Sequence, residues 1–178
     1  MFYNFRSLYD AGSAASLPAP TARANRGSGP PVLKIIPGVL SPNFSLAELT
    51  ISEFAAHMEI DNTPGPAALA NLHRLAIALE KVRAWLGRPV IIRSGYRSPG
   101  VNKGVGGARK SAHLTGLAAD FICPGYGKVI DVFETLRMSG IVYDQLIAER
   151  GTWIHFAISD NPRHQALVFD GVRYSEIV

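Results

Sequence analysis

Apolar residues recur at intervals of three and four along one stretch of the chain: Leu69, Leu72, Leu75, Ala76, Leu79, Val82 and Leu86. That spacing puts them on one stripe of an amphipathic helix of about 20 residues. Thr63-Pro64-Gly65-Pro66 provides its start, because proline is tolerated in a first helical turn, and Gly87 provides a stop. Upstream, Ser45-Leu46-Ala47-Glu48 has serine at an N-cap and glutamate three residues later, a capping box ahead of a short helix. Beyond Gly87 the period changes. Residues 89–93 and 117–122 are short, apolar, β-branched or aromatic runs that predict strands. Between them, residues 94–112 form a long loop rich in glycine, serine and proline, and such loops in compact domains are usually functional. Residues 127–139 predict a helix with Val129, Val132, Phe133 and Leu136 on one face. Strands are then expected at about 142–147, 153–158 and 165–169, with Asp170-Gly171 as a hairpin-type turn before residues 172–174. The sum is an α+β fold: helices first, then a mostly antiparallel sheet with flanking helices, one of them inserted.

The chain has 178 residues, so one domain is expected, and a hydrophobic content of 47% is enough for a real core. Residues 1–42 read differently from the rest. Residues 12–31 are rich in alanine, serine, glycine and proline with little apolar periodicity, which predicts a flexible N-terminal arm or linker, leaving 43–178 as the folded domain. Phe2, Tyr3, Phe5, Leu8 and Tyr9 make the first ten residues aromatic enough to dock on the domain or on a partner. No continuous apolar stretch suits a secretory signal or a membrane span. The single cysteine, Cys123, excludes an internal disulfide, and its neighbours Ala118, Ala119, Phe121 and Ile122 suit a small buried residue better than a nucleophile.

A net charge of +4 and a pI of about 9.4 favour an anionic partner. The basic residues are scattered, however. Only Arg88, Arg93, Arg97, Lys103, Arg109 and Lys110 concentrate, with few aromatics between them, so a nucleic-acid module is not expected.

His113 and Asp120, in SAHLTGLAADF, and His155, in TWIHF, are candidate metal ligands. Two imidazoles and a carboxylate give zinc three protein ligands and leave the fourth position for water. Zinc lowers the pKa of that water towards 7. On spacing alone the pattern is weak, since a histidine in an apolar strand equally suits a satisfied core residue. His57, His73 and His164 have no motif around them and are not assigned to the metal.

The longer pattern is more specific. Ser94-Gly95-Tyr96-Arg97-Ser98-Pro99, then Asn102 and Gly106-Gly107, then the run from Ser111 through His113 to Asp120, then Trp153-Ile154-His155, resembles the zinc D-Ala-D-Ala carboxypeptidase and L-alanyl-D-glutamate endopeptidase family. The resemblance covers roughly residues 43–160 and is closest to small phage and bacterial members. It implies the fold shared with the hedgehog signalling domain, where a similar zinc site serves no known peptidase activity. It also implies Zn2+ on His113, Asp120 and His155, a peptidoglycan stem peptide as substrate, and hydrolysis by metal-activated water at either a D-Ala-D-Ala or an L-Ala-D-Glu bond. Arg97 matches an arginine placed near the substrate carbonyl or carboxylate, with a loop-bracing salt bridge as its alternative. Ser111 matches a small polar residue beside the site, or else caps the loop. Many members carry an acid three residues before the second histidine. Here that residue is Thr152, which cannot do acid–base work. Glu149, six before His155, is the candidate general base if the turn Arg150-Gly151 folds back, and Asp144 is the reserve, also as a substrate-binding residue. A monomer is expected, held in the cytoplasm until lysis or carried by a virion and acting at the cell wall. The alternatives are a catalytically inactive zinc-binding module and a phage structural protein.

Overall fold

The computed structural model describes residues 38–177. The arm expected at 1–42 and its aromatic first ten residues therefore lie almost wholly outside the described residues. The first described element, β1 (Val39–Ser41), pairs with β2 (Phe44–Ser45) in a small antiparallel sheet. Two five-residue helices follow, α1 (Leu46–Thr50) and α2 (Glu53–His57). The capping box stands as the sequence predicts: the Ser45 hydroxyl accepts from the Glu48 amide, and the Glu48 carboxylate accepts from the Ser45 amide.

The long helix α3 (Pro66–Leu86) begins on the predicted proline and ends at Gly87, which holds a left-handed φ of 60°. Leu72, Leu75, Ala76, Leu79, Val82 and Leu86 are its buried stripe. On its other side Glu80 ties the β1–β2 sheet to the helix by accepting from the Ser41 hydroxyl, the Asn43 amide and the Asn43 side chain.

After α3 come β3 (Ile91–Ser94), α4 (Pro99–Gly104), a 3-10 turn (Ala112–Thr115), β4 (Ala118–Ile122) and α5 (Val129–Arg137). The chain ends in β5 (Gln145–Glu149), β6 (Trp153–Ala157), β7 (Gln165–Phe169) and β8 (Tyr174–Glu176). The long loop expected at 94–112 thus contains a helix, α4.

The main sheet has six strands in the order β3-β4-β6-β5-β7-β8. Every neighbouring pair is antiparallel except β5–β7, so the sheet is mixed, and the α+β expectation of a mostly antiparallel sheet holds. Its faces differ because side chains alternate along each strand. Ala119, Phe121, Leu146, Ala148, Ile154 and Phe156 join the stripe of α3 and the buried face of α5 in one core. The alternate residues Asp120, Ile147, Glu149 and His155 therefore face the other way. Cys123, just past β4, is buried in the core as a free thiol. Among the described residues no helix is long and apolar enough to cross a membrane.

Candidate metal centre

Two candidate ligands are placed by strand register alone. Asp120 on β4 stands directly opposite His155 on β6, and opposed residues of antiparallel strands share a face. The third, His113, comes from the 3-10 turn. Ser111 caps that turn, its hydroxyl accepting from the His113 amide at 3.3 Å.

The three ligand atoms form a tight triangle. His113 Nε2 lies 3.2 Å from His155 Nδ1 and 3.2 Å from Asp120 Oδ1, and His155 Nδ1 lies 2.8 Å from that same oxygen. Tetrahedral zinc with bonds near 2 Å places its ligand atoms about 3.3 Å apart. The triangle has close to that size, and its donor set of two imidazoles and a carboxylate suits the ion. Among the described residues it is the one cluster of histidine, cysteine and acidic groups arranged to hold a metal ion. His57, His73 and His164 stand apart from it.

The surroundings prepare these atoms. His113 Nδ1 is 2.6 Å from the Gly95 carbonyl oxygen. A carbonyl can only accept, so Nδ1 carries the proton and Nε2 is left with its lone pair for a metal. Burial pushes the His113 pKa down, against the opposing pull of Asp120, and favours the neutral imidazole that metal binding needs. Burial alone would raise the Asp120 carboxyl, but His113 and His155 outweigh it and hold the group well below the usual carboxylate range.

Gly95 is constrained sterically as well. A Cβ there would meet the Leu49 carbonyl oxygen at 2.3 Å, because the Tyr96 amide donates to that oxygen at 2.7 Å and draws the two backbones together. Glycine is the residue that allows this approach.

Arg97 is part of the ligand framework. Its Nη2 donates to Asp120 Oδ2 at 2.5 Å, and its Nε donates to Ser94 Oγ at 2.9 Å. The guanidinium thus binds the carboxylate oxygen that faces away from the histidine pair. Glu149 lies on the metal-facing side of β5, opposite Trp153. The turn after it folds back: Arg150 and Gly151 have φ of 52° and 64°, and the Thr152 amide donates to the Glu149 carbonyl at 2.8 Å. Burial raises the Glu149 pKa, opposed by His155. Thr152 turns its hydroxyl to the Glu149 carbonyl at 2.8 Å.

Asp144 is engaged elsewhere. It is buried, and it accepts from the Arg163 amide and Nε at 3.0 Å each and from Nη2 at 2.6 Å. The arginine's hydrogen bonds hold its carboxyl below the ordinary value. These contacts anchor the loop before β7 and occupy both carboxylate oxygens.

A cleft of about 610 Å³ reaches the triad at Asp120 and is lined by Arg93, Ser94, Asp120, Ile122, Thr152 and Trp153. A separate hollow of about 490 Å³ lies between α3 and residues 139–142, with Lys81 as its one titratable lining residue. Chemistry therefore belongs to the first. Arg93 is the cleft residue to which motif reading gives no role, because its place beside Asp120 follows from sheet pairing that no local signal marks.

A largely buried His–Asp–His triangle, carried by an α+β sheet and meeting a cleft at Asp120, is a donor set that could hold one metal ion, of the kind used by metallohydrolases. Residues 42–157 match the family model described as Peptidase M15, and the chain belongs to that family. No curated protein matches the chain.

Proposed function

We propose that this chain is a zinc metallopeptidase that hydrolyses stem peptides of peptidoglycan, at a D-Ala-D-Ala or an L-Ala-D-Glu bond. The observation that carries the reading is the triangle of His113 Nε2, His155 Nδ1 and Asp120 Oδ1, with edges of 2.8 to 3.2 Å, beside a substrate-sized cleft. Bound zinc would supply a Lewis acid and a water that ionises near neutral pH.

The chain's own groups do the rest. The Gly95 carbonyl holds the His113 ring in one tautomer. Arg97 fixes the Asp120 carboxylate and adds positive charge beside the carbonyl that is attacked. Glu149 accepts a proton during attack and delivers it to the leaving amine; its raised pKa brings it nearer to the value a general base needs. Ser111 positions the His113 turn. The substrate places the enzyme at the cell wall, reached on lysis or with a virion, and it acts as a monomer without nucleic acid.

Purified peptidoglycan and the zinc-loaded protein test this reading, with mass spectrometry of the released fragments. Release of D-Ala, or of new L-Ala ends, supports it and names the bond. Glu149→Gln is expected to lower the rate by about 10²- to 10⁴-fold while retaining the metal.

One observation favours a second reading, an inactive zinc-binding module. Thr152 stands where many relatives carry an acid, and its hydroxyl is bound to backbone. Zinc at one per chain with no cleavage would select that reading.

A further inference from the structure

The cleft contains a cation that the mechanism above does not use. On β3, Ile92 stands opposite Phe121 and Ser94 opposite Asp120. Phe121 and Asp120 are consecutive, so Arg93 is an extra residue on its strand. Arg93 and Ser94 together face the single residue Asp120, which is a β-bulge. Ile92 shares the core face with Phe121, so alternation along β3 turns Arg93 to the opposite face, the one that carries Asp120. Arg93 accordingly lines the same cleft as Asp120, Thr152 and Trp153.

Its charge has no acidic partner in that cleft. Asp120 is the one carboxylate in the lining, and it is committed to Arg97, His113 and His155. The cleft thus combines an exposed guanidinium with the apolar surfaces of Trp153 and Ile122. Guanidinium matches a carboxylate through two parallel hydrogen bonds. The apolar surfaces suit a small side chain attached to it.

We propose that Arg93 is a specificity-determining residue that binds a free carboxylate on the substrate residue supplying the leaving amine. This rests on the peptidase reading above. Both bonds considered there meet the requirement, since a terminal D-Ala carries a free carboxylate and so does the α-carbon of D-Glu.

The test uses two matched pairs of peptides with the zinc-loaded, full-length protein. One pair is N-acetyl-L-Lys-D-Ala-D-Ala and its C-terminal amide. The other is an L-Ala-D-Glu stem fragment with its α-carboxylate free or amidated. Affinity is measured by calorimetry in the Glu149→Gln background, where turnover is suppressed, and kcat/KM is measured with native Glu149. The acid of at least one pair is expected to bind roughly 10- to 100-fold tighter than its amide. Arg93→Ala is expected to bring that ratio close to one, and Arg93→Lys to restore part of it. Thermal melting and zinc content check that each variant is folded and metallated. Equal binding of acid and amide, no measurable binding of either acid, or an acid-to-amide ratio that survives Arg93→Ala overturns the proposal. Absence of cleavage by the native chain, with the binding ratio intact, overturns the peptidase reading and leaves Arg93 as a carboxylate-binding residue.

Discussion

His113 owes its position to a residue eighteen positions earlier, since the Gly95 carbonyl accepts from its ring. Gly95→Ala would drive a Cβ into the Leu49 carbonyl and displace that acceptor. Groups that orient a metal ligand typically change metal affinity by about 10- to 100-fold, so Gly95→Ala should lower zinc affinity by that order in a chelator competition. Arg97→Ala should act in the same assay through Asp120, which loses its partner at 2.5 Å. The three ligand candidates were legible in the sequence because SAHLTGLAAD and WIH keep them in a recognisable order. Their convergence was not, since it depends on Asp120 and His155 sharing a register across β4 and β6. Asp144 shows the limit from the other direction. The sequence offers it as a reserve base, but its neighbour in space is Arg163, nineteen residues away, which takes both carboxylate oxygens.

At the scale of elements, periodicity succeeded where an element is long. The 21-residue α3 has almost six turns to repeat its stripe, and both of its ends were marked by residues with fixed backbone preferences. Leu79 is fully buried in that stripe, so Leu79→Ala should cost about 2–5 kcal/mol, read from the urea midpoint. The helices α2 and α4, of five and six residues, are too short to repeat a pattern, and tertiary packing makes them. The bulge in β3 is likewise a property of pairing, and so is the meeting of β3 with β4 that sets Arg93 beside Asp120; in the sequence Arg93 read only as one of six basic residues that concentrate between Arg88 and Lys110. The Asp144–Arg163 tie has a pH signature. The native Asp144 pKa lies below its ordinary value of 3.8, so the contribution to stability is present above that value. It is lost as pH falls through the depressed native value. The stability gap between the native chain and Asp144→Asn should therefore be full near neutral pH and close below about pH 4, in melts at a series of pH values.

For the molecule as a whole, one sheet separates two tasks. Alternation gives its inner face to the core, with Phe121, Leu146, Ile154 and Phe156, and leaves Asp120, Glu149 and His155 for the site on the other. The α+β class followed from the order of periodic segments. The parallel β5–β7 pair did not, because strand order is set by how distant segments meet. On the function proposed above, the His–Asp–His triangle is a zinc site that serves peptide hydrolysis. The most direct measurement follows zinc content and stem-peptide cleavage together, for the native chain and for His155→Ala. One zinc per native chain and release of D-Ala or of L-Ala ends are expected, with both lost in the variant. Cleavage that persists in a His155→Ala chain free of zinc would contradict that function.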